Sequence, residues 1–205
     1  HQNGIEVIMQ FYFPEYIKQG YILEIIKHWV LEYQIDGVHL KGSRLPMTLI
    51  ATEPLLADTK IMCEDFYLHE IYPNGMQPAR KVLGYYRDEY MNDMRKYLKG
   101  DQDMLKSFRY HMKNTNAKCG VVNYITNYYG YTLNDLVSYE QKHNEANGEN
   151  NTDGTNYNFS WNCGVEGPSR RKSVKQLRNK QMKNALGFLF TAQGTPLLLA
   201  GDEFG

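Results

Sequence analysis

The fold is decided by residues 4–41, which read GIEVIMQFYFPEYIKQGYILEIIKHWVLEYQIDGVHLK. Gly4–Phe13 is a β-branched and aromatic run after a glycine, short enough to form a buried strand. Apolar residues then recur at helical spacing from Ile22 to Tyr33, and a second short strand follows at Asp36–Lys41. A strand, a helix and a strand in this order predict a βαβ unit on a parallel sheet.

The same alternation continues along the rest of the chain. Further strands are predicted at Lys60–Cys63, Gly120–Thr126 and Pro196–Ala200. Further helices are predicted at Met47–Leu56, Arg87–Met112 with an interruption at Gly100, Thr132–Lys142, and Ser173–Gln193. The polar, Asn-rich and Gly-rich stretch His143–Arg170 lacks periodicity, which predicts a functional or a disordered loop.

Composition excludes several classes of function. The 205 residues contain 23 Lys and Arg against 23 Asp and Glu. No net field therefore attracts nucleic acid or an anionic membrane, and we expect neither as a partner. Cys63, Cys119 and Cys163 are widely spaced, which favours free thiols over disulfides or a zinc site. Because no signal peptide and no apolar run of about 20 residues is present, we expect a cytoplasmic location. The chain begins without Met, so an upstream signal or domain stays an alternative.

Several motifs carry a resemblance to a known family. They read GENN at 148–151, SWNCG at 160–164 and GTPLLLAGDEFG at 194–205. They resemble the glycogen-debranching branch, of isoamylase and pullulanase type, of the alpha-amylase family. The resemblance implies an α/β fold, a partial (β/α)8 TIM-type barrel from about its third strand to its eighth. A complete barrel needs about 250 residues. We therefore expect residues 1–205 to be a single barrel domain, either a fragment of a longer catalytic domain or an open barrel that needs its missing segments or another chain.

The resemblance also identifies the positions of the catalytic groups. The family's fourth strand reads Asp-Gly-Phe-Arg-Phe-Asp, and its last Asp is the nucleophile, whereas this chain has DGVHLK at 36–41. Lys41 thus occupies the position of the nucleophile. His39 occupies the position of the Arg that keeps the nucleophile ionised, and His39 is a candidate substrate contact. A lysine ammonium is not nucleophilic, and its charge repels the developing oxocarbenium ion.

The other two catalytic positions fall in the fifth and seventh strands of the family. The run ADTKIMCE at 57–64 resembles the approach to the general acid, so Glu64 is the candidate acid. Without the resemblance, a single Glu at the end of a strand is more often a solvated or capping carboxylate. The family's His-Asp pair after the seventh strand is replaced by Tyr128 and Tyr129. Tyr128 is a candidate substrate contact, and Tyr129 occupies the position of the transition-state stabiliser. One carboxylate of three remains, and we expect Lys41, Glu64 and Tyr129 to converge at one rim of the barrel.

Two features of the long loop have alternative interpretations. Trp161 is either a stacking platform for a sugar or an anchor that packs the loop onto the core. Asn151, Asp153 and Gly154 have the offsets of a calcium loop, but the twelfth position is Ser160 rather than Glu. We therefore expect no metal and no cofactor.

Two functional hypotheses follow, and the first is favoured. The chain is a degenerate relative of a debranching hydrolase that keeps a cleft for an α-glucan or oligosaccharide but has lost cleavage. Alternatively, it is an active glycogen-debranching α-1,6-glucosidase, a glycoside hydrolase whose missing carboxylates come from other positions. A decayed gene fragment without a selected function is a third possibility.

Overall fold

The computed structural model describes residues 3–205. Its six strands are β1 (Ile8–Tyr12), β2 (Gly37–Lys41), β3 (Lys60–Cys63), β4 (Leu83–Tyr86), β5 (Gly120–Asn123) and β6 (Thr195–Pro196). Its seven α-helices are α1 (Gln19–Tyr33), α2 (Met47–Ala51), α3 (Leu68–Ile71), α4 (Asp88–Lys99), α5 (Leu105–Lys113), α6 (Leu133–Leu136) and α7 (Lys172–Thr191). The strands form one sheet in sequence order, β1 to β6, and β1 to β5 pair in parallel. The predicted α/β alternation on a parallel sheet is thereby confirmed.

The chain divides into two compact units, which we call unit 1 and unit 2. Unit 1 contains residues up to Arg87 together with Thr115–Val122, and unit 2 contains Asp88–Asn114 and Asn123–Gly205. The single barrel domain remains a prediction.

Unit 1 is built around one face of β1 to β4. In β2, Val38 and Leu40 are fully buried and pack with Ile22 and Ile26 of α1, whose apolar residues share one helical face. Side chains alternate along a strand, so His39 and Lys41 point to the opposite face from Val38 and Leu40. The alternation thus separates a packed hydrophobic face from a face that carries polar side chains.

Unit 2 is a helical layer centred on α4 and α7. Its core contains Tyr90, Met94, Ile125, Leu133, Leu136, Ala185 and Leu189. Hydrogen bonds also join the helices and loops inside this unit: among them, the Tyr90 hydroxyl donates to the Phe188 carbonyl at 3.0 Å, and the buried Arg95 Nε donates to the Ile125 carbonyl at 2.7 Å. The second unit therefore combines apolar packing with polar contacts that fix its loops.

Some elements differ from the sequence-based prediction. β4 was not predicted, because Leu83–Tyr86 is a short Leu-Gly-Tyr-Tyr run without β-branched residues, directly before a helical pattern. The predicted helix Thr132–Lys142 is only α6, because the backbone N–H groups of Glu140 and Gln141 donate to the Glu166 carboxylate instead of helical carbonyls. The predicted strand Pro196–Ala200 is reduced to Thr195–Pro196, and the chain turns from Leu199 onward.

The predicted interruption of the long helical segment is confirmed. Gly100 has a φ of +93°, in the left-handed region that favours glycine, and it separates α4 from α5. The predicted long loop at His143–Arg170 contains only a 3-10 turn at Glu145–Asn147. Within residues 3–205, none of the helices has the length and apolarity to cross a membrane.

Candidate active site

Lys41 and Glu64 meet at the carboxyl ends of two neighbouring strands in unit 1. Lys41 is the last residue of β2, and Glu64 directly follows β3. The register pairs His39 with Met62, which places the two side chains two residues further along on the same face. Lys41 Nζ lies 3.3 Å from Glu64 Oε1, with 17% of the lysine side chain and 62% of the glutamate side chain exposed. The position aligned with the nucleophile and the candidate general acid thus form an ion pair.

His39 lies under this ion pair and is almost completely buried. Its ring is 4.0 Å from the ring of Tyr86, measured between centroids, and Lys41 Nζ lies 5.9 Å from the same tyrosine ring. Burial, followed by the positive charge of Lys41, lowers the pKa of His39 to about 4. His39 is therefore neutral at pH 7, and its Nε2 has no hydrogen-bond partner among residues 3–205.

Arg87 connects the end of β4 to the segment after β3. Its Nε donates to the Glu64 carbonyl at 3.2 Å, and its Nη2 lies 3.3 Å from Asp65 Oδ1. The guanidinium also stacks on Tyr85, 4.2 Å from the ring centroid. These contacts fix the backbone at Glu64. Sequence reasoning missed Arg87 because β4 was not recognised.

Tyr129, in unit 2, holds a carboxylate that sequence reasoning also missed. Its hydroxyl donates to Asp88, 2.8 Å from Oδ1 and 3.0 Å from Oδ2, and the hydroxyl of the buried Tyr124 donates to the same Oδ1 at 2.5 Å. Tyr128 is 57% exposed, and its ring is 5.1 Å from that of Tyr129. The tyrosine in the stabiliser position thus has an acidic partner at the start of α4.

Asp202, in the GDEFG motif, fixes the loop that carries Tyr128 and Tyr129. It is 5% exposed, and its carboxylate accepts hydrogen bonds from the Thr126 hydroxyl and, at 2.9 Å, from the Leu133 N–H. Both donors flank the loop after β5. The most recognisable motif of the sequence therefore contributes a structural clamp in unit 2.

Trp161 is half-buried in the second half of the long loop. Its backbone N–H donates to the Leu136 carbonyl at 3.0 Å. Its side chain borders a small apolar cavity of about 20 Å³ together with Leu98, Val137 and Ala185. These contacts fix the loop against α4 and α7, as expected of an anchor. A role of Trp161 in stacking on a sugar stays a prediction.

The structure thus places the six predicted site residues in two groups. Lys41, Glu64 and His39 lie together in unit 1. Tyr128, Tyr129 and Trp161 lie in unit 2, and their convergence with Lys41 and Glu64 stays a prediction. In the described part of the chain, no group of three or more His, Cys, Asp or Glu side chains is arranged to hold a metal ion.

The fold and these positions define an α/β protein with polar residues at the carboxyl ends of parallel strands, and sequence comparison adds its relatives. No protein-family model matches the chain. In alignments of 206 positions, gaps included, the chain is 37% identical to "Isoamylase 3, chloroplastic" of Oryza sativa subsp. japonica and 34% identical to "Glycogen operon protein GlgX homolog" of Mycobacterium tuberculosis. Over 205 residues, it is 38% identical to "Glycogen debranching enzyme" of Erwinia tasmaniensis.

These matches cover most of this chain but a minor part of each relative. They include 90%, 90% and 89% of the chain and 26%, 28% and 31% of the respective relatives. The resemblance to the debranching branch of the alpha-amylase family is therefore confirmed. The chain is homologous to these isoamylase and glycogen-debranching proteins and spans somewhat more than a quarter of their length.

Proposed function

We infer that this chain is a debranching-type domain that binds α-glucan but does not hydrolyse it. The observation that carries this inference is the ion pair between Lys41 and Glu64. In the family's mechanism, one of these positions supplies a nucleophilic carboxylate and the other a protonated acid. Here the first is an ammonium, and the second is a carboxylate engaged with it.

The chemistry of this pair argues against glycoside cleavage. Retaining hydrolysis needs two carboxyl groups about 5–5.5 Å apart, one of them a nucleophile. An ion-paired carboxylate has no proton to donate, and a cation beside it opposes the positive charge of an oxocarbenium-like transition state. General acid catalysis alone contributes about 10²–10⁴-fold, which is well below typical enzymatic accelerations of about 10⁶-fold or more.

A partial (β/α)8 barrel is the architecture we propose for this function. Its support is the succession of six strands in sequence order, with β1 to β5 in parallel, as expected for the third to eighth strands of the family's barrel. The balance of 23 basic and 23 acidic residues suits a neutral glucan. A cytoplasmic location also stays a proposal, since the rice relative is named chloroplastic.

The test is reducing-end release from pullulan, glycogen and a branched dextrin. We expect no turnover from the native chain or from Glu64→Gln, although glycogen binding by affinity electrophoresis should persist in both. Lys41→Asp alone should also stay inactive, because His39, Tyr128 and Tyr129 remain. Asp58→Asn, at an exposed carboxylate of unit 1 that pairs with Arg80, is the matched control. Turnover by the native chain that disappears in Glu64→Gln but not in Asp58→Asn would contradict the proposal.

One observation favours the alternative, an active α-1,6-glucosidase. Asp88 brings a carboxylate to the hydroxyl of Tyr129, the residue in the stabiliser position. Tyrosine is the nucleophile of some glycosidases, the sialidases among them. Under this alternative, the same assay gives turnover by the native chain that Asp88→Asn removes, whereas Asp101→Asn, also in unit 2, leaves it unchanged.

A further inference from the structure

Three asparagines of the chain are directly followed by glycine, in the pairs Asn3–Gly4, Asn74–Gly75 and Asn147–Gly148. Asn3 lies at the start of the described range. The other two asparagines are exposed and lie in 3-10 turns, one in unit 1 at Pro73–Gly75 and one in unit 2 at Glu145–Asn147. Asn74 and Asn147 thus offer the same dipeptide in two different surroundings.

An asparagine that precedes glycine can lose ammonia without an enzyme. The backbone nitrogen of the glycine attacks the side-chain carbonyl carbon of the asparagine, and the new C–N bond closes a five-membered succinimide ring. The bond from this carbon to the side-chain nitrogen breaks, and ammonia leaves with the proton given up by the glycine nitrogen. Water then opens the ring at either carbonyl, which gives aspartate or isoaspartate. Glycine favours the attack because no Cβ obstructs its nitrogen.

The glycine side of the reaction is equally open in both turns. Within residues 3–205, no atom lies within 4 Å of the place where a Cβ would stand at Gly75 or at Gly148. Both glycines have a positive φ, of +76° and +81°, respectively. A difference in reactivity between the two pairs must therefore come from the hydrogen bonds around them.

Hydrogen bonds hold both reacting groups of the Asn147–Gly148 pair. The side-chain Nδ2 of Asn147 donates to Asp153 Oδ2 at 3.0 Å, and its Oδ1 accepts from the Glu149 N–H at 2.9 Å. The Gly148 N–H, which carries the attacking nitrogen, donates to the Glu145 carbonyl at 3.4 Å. The amide and the nitrogen must leave these partners before they can approach each other to bonding distance.

The side chain of Asn74 is not held in this way. In the described part of the chain, its amide has no hydrogen-bond partner. The turn is closed by a hydrogen bond from the Met76 N–H to the Pro73 carbonyl at 3.0 Å. Asn74 itself has a φ of +55°, in the left-handed region that non-glycine residues seldom occupy. Its side chain can rotate, and its backbone gains little from keeping this conformation.

We propose that Asn74 is a site of spontaneous deamidation in the folded protein, whereas its hydrogen bonds protect Asn147. The reaction consumes one water, releases one ammonia and adds one negative charge to a chain with 23 basic and 23 acidic residues. The turn Pro73–Gly75 contains no buried residue, so the new carboxylate stays in solvent and the fold tolerates it. Because neither a glucan nor Glu64 takes part, the proposal is independent of the proposed function.

The experiment incubates the native chain in mildly alkaline buffer made with water labelled with heavy oxygen. Peptide mass spectrometry then follows each asparagine. The tryptic peptide 61–80 contains Asn74 as its only asparagine, and fragmentation separates Asn147 from its neighbours. A product formed during the incubation carries one heavy oxygen, whereas deamidation during digestion in ordinary water does not. We expect Asn74 to react at least about tenfold faster than Asn147, because each hydrogen bond that must break slows the reaction a few-fold.

Two comparisons test the physical reason. In concentrated urea, the two asparagines should react at similar rates, because unfolding removes the contacts that distinguish them. Asp153→Ala should accelerate the reaction of Asn147 a few-fold and leave Asn74 unchanged, because it removes the acceptor of the Asn147 amide. Asp101→Ala, at another carboxylate of unit 2, is the matched control and should change neither rate.

Each outcome decides the proposal. Preferential labelling at Asn74 in the folded chain, with similar rates in urea, supports it. Equal rates in the folded chain, a faster reaction at Asn147, or no product at Asn74 overturns it. A preference for Asn74 that persists unchanged in urea would come from the neighbouring sequence and would overturn the protection of Asn147 by its hydrogen bonds. An unchanged rate of Asn147 in Asp153→Ala would do the same.

Discussion

The carboxylates of the two units are held in opposite ways. In unit 1, Glu64 is 62% exposed and faces the ammonium of Lys41, whose side chain is 17% exposed. In unit 2, Asp202 is 5% exposed and accepts hydrogen bonds from the Thr126 hydroxyl and the Leu133 N–H, which belong to the loop it supports. An ion pair whose carboxylate is open to solvent contributes little to stability, whereas a buried carboxylate with fixed donors contributes through each of them.

The difference indicates what each region retains from the family. In unit 2, the carboxylates of Asp202 and Glu166 bind backbone N–H groups, so they determine the course of loops. In unit 1, the residue aligned with the nucleophile is a lysine whose partner is the candidate acid. Under the proposed function, the loop-shaping carboxylates are present, whereas of the carboxylates of the bond-breaking step only that of Glu64 remains. The four predictions below test this contrast.

The largest effect is expected from Asp202→Ala. The substitution removes both hydrogen bonds to a charged acceptor and leaves the Thr126 hydroxyl and the Leu133 N–H unpaired. The free energy of unfolding should fall by about 3 kcal/mol, as measured by urea denaturation. Glu203→Gln, in the same motif but exposed, should change it by less than about 0.5 kcal/mol. Equal effects of the two variants would contradict the interpretation that Asp202 stabilises the loop after β5.

The second prediction concerns the pH dependence that His39 gives to unit 1. Its pKa in the folded protein is about 4, below the value of about 6.5 in the unfolded chain. The unfolded state therefore binds more protons between these values. The contribution of His39 to stability is complete above about pH 6.5 and is lost as the pH falls toward 4.

The measurement compares the native chain with His39→Leu between pH 5 and pH 7.5. The native chain should lose on the order of 2 kcal/mol over this interval, and His39→Leu should lose less. This interval lies above the pH range in which Glu166 titrates. Burial acts to raise the pKa of Glu166, but hydrogen bonds from Glu140, His143 and Asn162 lower it to about 2. His69→Gln, at an exposed histidine, should keep the native slope. An unchanged slope in His39→Leu would contradict the buried neutral state.

The general course of the fold could be predicted from sequence because periodicity reports burial. Val38 and Leu40 alternate with His39 and Lys41, which is sufficient to assign β2 and its two faces. The adjacency of Lys41 and Glu64 follows from parallel pairing of two strands with known ends. The length of α6 could not be predicted, since it depends on the carboxylate of Glu166, 26 residues away from Glu140.

The unpredicted part of the candidate site has one common origin. β4 lacks β-branched residues, so the strand was missed, and with it Tyr86, Arg87 and Asp88. These residues contact His39, the Glu64 backbone and Tyr129, respectively. A run of Leu-Gly-Tyr-Tyr in the gap between two predicted strands was the only signal. It becomes informative only when the sheet is known to need a strand there.

The third prediction is a coupling between Tyr129 and Asp88 in unit 2. A double-mutant cycle of Tyr129→Phe and Asp88→Asn isolates their hydrogen bond, because each single variant removes one partner. We expect a coupling energy of about 1 kcal/mol in thermal or urea unfolding, since Tyr124 continues to donate to Asp88 in Tyr129→Phe. The pair Tyr157→Phe and Asp88→Asn should show no coupling. Absence of coupling in both cycles would mean that Tyr129 does not hold the carboxylate in solution.

The smallest effect is expected from Glu64→Gln in unit 1. Its side chain is largely exposed, and pairs of this kind contribute about 0–1 kcal/mol to stability. The variant should therefore unfold within about 0.5 kcal/mol of the native chain, and raising the salt concentration should reduce the difference further because ions screen an exposed pair. Arg80→Gln, which breaks the exposed pair with Asp58, is the matched control and should behave alike. A loss as large as that of Asp202→Ala would show that the Lys41–Glu64 pair is a structural element of unit 1. In that case, the replacement of the nucleophile by Lys41 would be explained by folding rather than by loss of catalysis.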